Sequence, residues 1–117
     1  LKVVTFDTMP ASAGTPEALY TVGGSTTTVI LGLILSNIHT AQVTVSVKLV
    51  SDTSSRGGSG STANTTAFLL KDAPIPTGSS LEILSGNKVV LETTDAIQID
   101  CSVTDKVSVA LSIMEIT

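Results

Sequence analysis

The stretch Gln42–Leu49 reads QVTVSVKL, with Val43, Val45, Val47 and Leu49 at every second position and Thr44, Ser46 and Lys48 between them. Lys106–Ile113 (KVSVALSI) does the same, setting Val107, Val109, Leu111 and Ile113 against Ser108, Ala110 and Ser112. In Asp95–Val103 the apolar set is Ile97, Ile99, Cys101 and Val103. Successive side chains on a strand point to opposite faces, so a period of two places one set in a core and the other toward water or a partner. Val and Thr favour that pleated, half-buried setting. No window combines apolar residues at i, i+3, i+4 and i+7 with capping residues. The chain is therefore expected to be all-β.

Turn signals fall between these runs at the spacing of a sandwich or barrel. Met9–Pro16 follows a first strand at Lys2–Thr8, and Gly23-Gly24 separates a short strand at Ala18–Val22 from a long one at Thr26–Ser36. Asn37–Thr40 is a hairpin-length connection into Ala41–Ser51, and Asp52–Asn64 (DTSSRGGSGSTAN) is a long polar loop. Strands follow at Thr65–Lys71, Ser80–Leu84 and Lys88–Glu92, the last two divided by Gly86-Asn87, a strong tight-turn signal. Thr94-Asp95 opens the strand at Asp95–Val103, and Thr104-Asp105 makes the last turn. Pro74 and Pro76 each lack a backbone donor, so Leu70–Ser80 is expected at an edge or between sheets and not as a central strand. This pattern predicts one domain over residues 1–117: an antiparallel, jelly-roll-like β-sandwich of eight or nine strands. The expected core comprises Val29, Leu31, Leu33, Val45, Val47, Leu69, Ile83, Ile97, Ile99, Val107, Val109 and Leu111.

Composition narrows the function. The 117 residues carry six Lys and Arg against ten Asp and Glu, a net charge of −4, and only 14% are charged. The five lysines and the single Arg56 are scattered, which argues against a nucleic-acid partner, because neutralising phosphates needs clustered cations. The longest apolar run, Val29–Leu35, is far below the roughly 20 residues of a membrane-spanning helix, so no membrane association is expected. Aromatics are limited to Phe6, Tyr20 and Phe68, and the core must be aliphatic. The lone Cys101 cannot cross-link the chain to itself and, in phase with Ile97 and Ile99, reads as a buried thiol. No basic segment precedes an apolar run, so no secretory leader is expected, and the start at Leu1 implies an initiator processed or left out.

The segment Thr26–Ser36 (TTTVILGLILS) is apolar on both faces. Strict alternation puts Val29, Leu31, Leu33 and Leu35 on one side, and Ile30 and Ile34 with Gly32 on the other. A strand apolar on both faces is covered on both. The second cover is either a neighbouring molecule or a part of the same chain, the Asp52–Asn64 loop or the N-terminal strand. Met114 and Ile116 repeat the pattern at the C-terminus. Ile30, Ile34, Met114 and Ile116 are accordingly candidate assembly contacts. Ile75 joins them as an apolar knob between two prolines that docks into an adjacent subunit or packs within its own chain. Arg56 completes the set, either gripping a carboxylate of another chain or lying in a solvated loop.

Chemistry has little to work with. His39 is the only histidine and sits in a turn, no Gly-x-Ser-x-Gly pattern surrounds any serine, and one His with one Cys cannot make a zinc shell. Gly58-Ser59-Gly60-Ser61 lacks the lysine and helix of a phosphate loop. Asp95, Asp100 and Asp105 alternate faces along strands and do not converge as calcium ligands would. No catalytic residue, metal site or cofactor is expected, and the chain is read as a non-enzyme.

Leu70–Leu81 (LKDAPIPTGSSL), Lys88–Glu92 (KVVLE), Asp95–Ile99 (DAIQI) and a closing Val107–Ile116 strand resemble small virion structural proteins of tailed bacteriophages. Tyr20-Thr21-Val22-Gly23-Gly24, Gly32-Leu33-Ile34-Leu35-Ser36-Asn37 and the Val-x-Val-x-Val-x-Leu strand extend the similarity over nearly the whole chain. The Asp52–Asn64 insertion departs from the compact hairpin of that group. The resemblance implies a structural protein of a phage particle, as capsid decoration, neck or tail component, made in the host cytoplasm. Its partners would be other copies of itself, in a homo-oligomer, and other virion proteins. The alternative is a carbohydrate- or receptor-binding sandwich used in host adhesion, which needs an aromatic platform with amide or carboxylate partners.

Overall fold

A computed structural model describes residues 1–54, 63–84 and 87–117. Among them are nine strands and no helix: β1 Lys2–Met9, β2 Glu17–Thr21, β3 Thr27–Asn37, β4 Val43–Val50, β5 Ala67–Ile75, β6 Ser80–Ile83, β7 Val89–Leu91, β8 Ala96–Cys101 and β9 Val107–Ile116. They form two antiparallel sheets packed face to face. The first has the order β1-β9-β3-β6, with β7 also paired to β3, and the second the order β2-β8-β4-β5.

β6 and β7 do not pair with each other. Leu81 and Ile83 face Leu35 and Leu33, and Val89 and Leu91 face Ile30 and Thr28, so the two lie end to end along one edge of β3. Gly86 lies outside the described residues, and the strands on either side of the Gly86-Asn87 turn signal are each paired to β3. Counted as one strand, β6 and β7 give eight strands in which only β4 and β5 are both consecutive and paired. Every other connection crosses between the sheets, which is the jelly-roll wrapping. The Asn37–Thr40 connection, expected as a hairpin, is one of these crossings.

The inner faces are aliphatic. Val45 and Val47 on β4, Ile97, Ile99 and Cys101 on β8, and Val107, Val109, Leu111 and Ile113 on β9 are all buried, as the alternation requires. Leu69 and Ile83 are half-buried against this core. β5 takes the second sheet's edge with Pro74 in it, where a missing N–H costs no ladder bond. Ile75 points inward and is 1% exposed, so it packs within its own chain and is not a docking knob. Asn37, at the other end of β3, holds this arm: its Nδ2 donates to Ile75 O at 2.8 Å and Ala41 O at 3.0 Å, while its Oδ1 accepts from His39 N at 2.7 Å.

β3 departs from strict alternation. Its partners on β9 step from Ile113 opposite Ile30 to Ser112 opposite Gly32, so Leu31 is the extra residue of a β-bulge. The bulge shifts the phase. Thr28, Ile30, Leu33 and Leu35 are buried, whereas Val29 and Leu31 are only half-buried on the outside. The expected core positions Val29 and Leu31 are thus exchanged for Thr28 and Ile30, and Ile30, at 0% exposure, is no assembly contact. Ile34, 42% exposed, keeps its outward place. Truncating Ile30 to Ala should therefore cost about 2–4 kcal/mol in urea unfolding of dilute protein, and Ile34→Ala less than about 1 kcal/mol. Equal costs would contradict the bulged phase.

Candidate functional site

The outer face of the first sheet is built from the outward rows of β1, β9, β3 and β7. Val29 lies between Met114 on β9 and Val90 on β7, and Val3 pairs with Ser112, itself opposite Gly32. The next row runs Thr5, Ala110, Ile34 and Glu82. Val3 is 61% and Val90 60% exposed, and Ile116, at the end of β9, is 51% exposed. The bulge adds Leu31 to this face. At Gly32 a Cβ would meet no atom within 4 Å, so the centre of the face dips. Beside it, Leu1, Lys2, Val3, Leu31, Ser112 and Ile113 line an apolar groove of about 310 Å³. The N-terminal strand is the edge of this sheet and does not cover it.

Of the six expected contacts, the structure brings Ile34, Met114 and Ile116 to this one face. It places Ile30 and Ile75 in the core, and Arg56 lies outside the described residues. Leu31, Val3 and Val90 belong to the face and were missed by sequence reasoning. Leu31 needs the bulge, whose sequence signal is the glycine next to it, and Val90 needs the pairing of β7 with β3.

On the inner side of the same sheet, polar groups close one end of the core. The Tyr20 hydroxyl, from the second sheet, donates to Glu115 Oε2 at 2.5 Å and lies 2.9 Å from Thr28 Oγ1. Lys2 Nζ sits 2.9 Å from Glu115 Oε1, with side-chain exposures of 57% and 29%. The Lys2 bond and, after it, the Tyr20 bond hold the Glu115 carboxyl below its ordinary range. Burial, then the Glu115 bond, pushes the Tyr20 hydroxyl up, and the Glu115 bond raises Lys2. The cluster ties β1 to β9 and one sheet to the other, and it fixes the strand on which the groove depends.

The remaining polar features are self-contained. At the loop end of the sandwich, Ser25–Thr27, Asp52–Ser54 and Glu92–Thr94 line a cleft of about 490 Å³. Its groups bond each other: Thr94 Oγ1 donates to Asp52 Oδ1, and Thr53 Oγ1 to Glu92 Oε2. Beneath it Asp95, 3% exposed, accepts from Ser51 Oγ and from the amides of Asp52 and Glu92. On the second sheet's outer face Asp100 and Asp72 flank Ser46, and Asp100 Oδ1 is buried with no hydrogen-bond partner among the described residues. Two carboxylates fall short of the six to eight oxygens a calcium ion takes. Among the described residues no group of three His, Cys, Asp or Glu side chains is placed to hold a metal ion. Cys101 is buried in the core.

Aromatic platforms are engaged. The Lys48 and Lys71 ammonium groups lie 5.2 and 4.7 Å from the Phe68 ring centroid, Tyr20 is tied into the Glu115 cluster, and Phe6 is half-buried. No protein-family model, curated protein or solved structure matches this chain.

The Glu115 cluster makes a pH prediction. A carboxyl lowered in the folded state contributes stability in full above its ordinary value near 4.5, and that contribution is lost as pH falls through the lowered folded value. Urea midpoints measured from pH 7 down to pH 2 should therefore fall less steeply below 4.5 in Glu115→Gln than in the parent protein. Parallel acid limbs would show that the cluster carries no such linkage.

Proposed function

We propose that the chain is a non-enzymatic structural component of a phage virion, joining a particle as capsid decoration, neck or tail protein and working by burial and shape. The observation that carries this reading is the apolar outer face of the first sheet. Contiguous exposed apolar surface on a sandwich with a complete core marks a surface that is covered in the working state. A jelly roll suits such service because its strands wrap between two sheets and need no disulfide to hold them, and here the single thiol is buried in the core. Its stability rests on an aliphatic interior, and subunit contacts add to that by mass action. The resemblance of Leu70–Leu81 and the strands around it to small tailed-phage virion proteins points the same way.

The glycan-binding alternative has less support. Tyr20 is tied into the Glu115 cluster, Phe68 is 47% exposed but has the Lys48 and Lys71 ammonium groups beside its ring, and no aromatic lines the 490 Å³ cleft. Mass spectrometry of density-purified particles from a host carrying the gene tests the main reading. The chain is expected in those particles in stoichiometric amount, and its absence from them would reject the virion role. A glycan array probed with the purified chain should stay blank; a saturable signal lost in Phe68→Ala would favour the adhesion module.

A further inference from the structure

We infer that the first sheet's outer face pairs with the same face of a second copy of this chain, across a two-fold axis running along the strands between β9 and β3. The inference rests on the assembly reading above and names the partner of that surface.

Three observations favour a second copy. The first is self-complementary shape. The groove of about 310 Å³ lies at the β1 margin, around Val3, Leu31 and Ser112, while the exposed knobs Val90 and Ile34 lie on the β7 and β3 side. The order β1-β9-β3-β6, with β7 beside β3, means that an axis between β9 and β3 exchanges the two margins. Each copy then lays its Val90 side over the other's groove, the reciprocal contact of an isologous interface. The dip at Gly32, open for 4 Å around a Cβ, lies close to that axis and lets the two sheets approach.

The second is area. Four strand positions at about 4.8 Å and the 11 residues of β3 at about 3.4 Å each give a face roughly 19 by 37 Å. Two such faces cover on the order of 1,400 Å², within the roughly 1,200–2,000 Å² of stable protein interfaces. Sheets stacked this way sit about 10 Å apart, as the two sheets of one sandwich do.

The third is charge. The chain carries −4, so two copies repel weakly at a distance, and a contact poor in charge avoids adding close like-charge pairs to that repulsion. Among the described residues the rows through Val3, Val29, Ile34, Ala110 and Met114 bring in one ionised side chain, Glu82, on the margin strand β6, while Lys2 at the groove and Asp7 beyond Thr5 stand at the β1 margin. The axis sets Glu82 against the β1 margin of the other copy, where its row holds Thr5, and keeps it away from its own counterpart.

Sedimentation equilibrium of the purified chain, with V3K, with V90D and with an equimolar mixture of the two, tests this. The parent chain should sediment at twice its 11.9 kDa mass. Each single variant buries two unpaired charges at the axis-related contacts and should raise the dissociation constant roughly 100-fold or more. Both positions are about 60% exposed in the single chain, so the far-ultraviolet spectrum of each variant should remain that of the parent. The mixture should recover the dimer, because at one contact the new ammonium then faces the new carboxylate one row, about 7 Å, along the strand, within the reach of a lysine side chain, and the other contact is unaltered. A monomeric parent, a dimer indifferent to both substitutions, or a mixture that stays monomeric would each overturn the inference. A monomeric chain still found in purified particles would overturn the two-fold pairing and leave the virion role standing.

Discussion

One extra residue in the longest strand shapes the rest of this molecule. Leu31 stands outside the register of β3 with β9, where two residues of β3 span a single step on the partner. Without that step, the phase that buries Thr28 and Ile30 would continue to Gly32 and Ile34 and turn Leu33 and Leu35 outward. With it, Ile30, Leu33 and Leu35 all reach the core, and Val29, Leu31 and Ile34 collect on the opposite face. β3 is central to the first sheet, paired along its length with β9 and on its other side with β6 and β7. The choice of phase here therefore decides what both faces of that sheet present.

Much of the fold was legible because its signal is local. Strict alternation over residues 42–49, 95–103 and 106–113 gave strands whose inward residues are buried, save Leu49, which is half-buried, and Val103, which is half-buried beyond the end of β8, and the two prolines near Ile75 placed their segment on an edge. What was not legible depends on partners distant in sequence. Gly86-Asn87 has the composition of a tight turn, yet β6 and β7 are both held by β3, and composition carries no record of that pairing. Asp95 shows the same limit. Its spacing showed only that it does not converge with Asp100 and Asp105, whereas the structure buries it under three donors, where it organises the turn from β7 into β8.

The candidate surface was half visible for the same reason. An apolar run too rich for one face leaves apolar side chains on the other, and that reading survives the phase correction. Which residues form the face depends on the bulge, so Ile30 leaves it and Leu31 joins it. The Lys2–Glu115–Tyr20 cluster joins residues from the first strand, the last strand and the second sheet, and no spacing rule connects positions so far apart. It closes the end of the core with charge-assisted bonds at the point where an aliphatic interior would otherwise meet water.

Two single-residue deletions measure the bulge directly. Removing Leu31 leaves Thr28, Ile30, Leu33 and Leu35 at alternate positions and makes the pairing with β9 regular, so the core is kept. Removing Ile34 lets the pairing with β9 become regular only by turning Leu33 outward and setting Gly32 in its place in the core. The bulged phase predicts a cooperative urea transition near the parent midpoint for the Leu31 deletion, and a loss of about 2–5 kcal/mol for the Ile34 deletion, the cost of emptying a buried leucine site. If the Leu31 deletion costs as much stability as the Ile34 deletion does, the strand does not carry its extra residue there and the account of both faces fails.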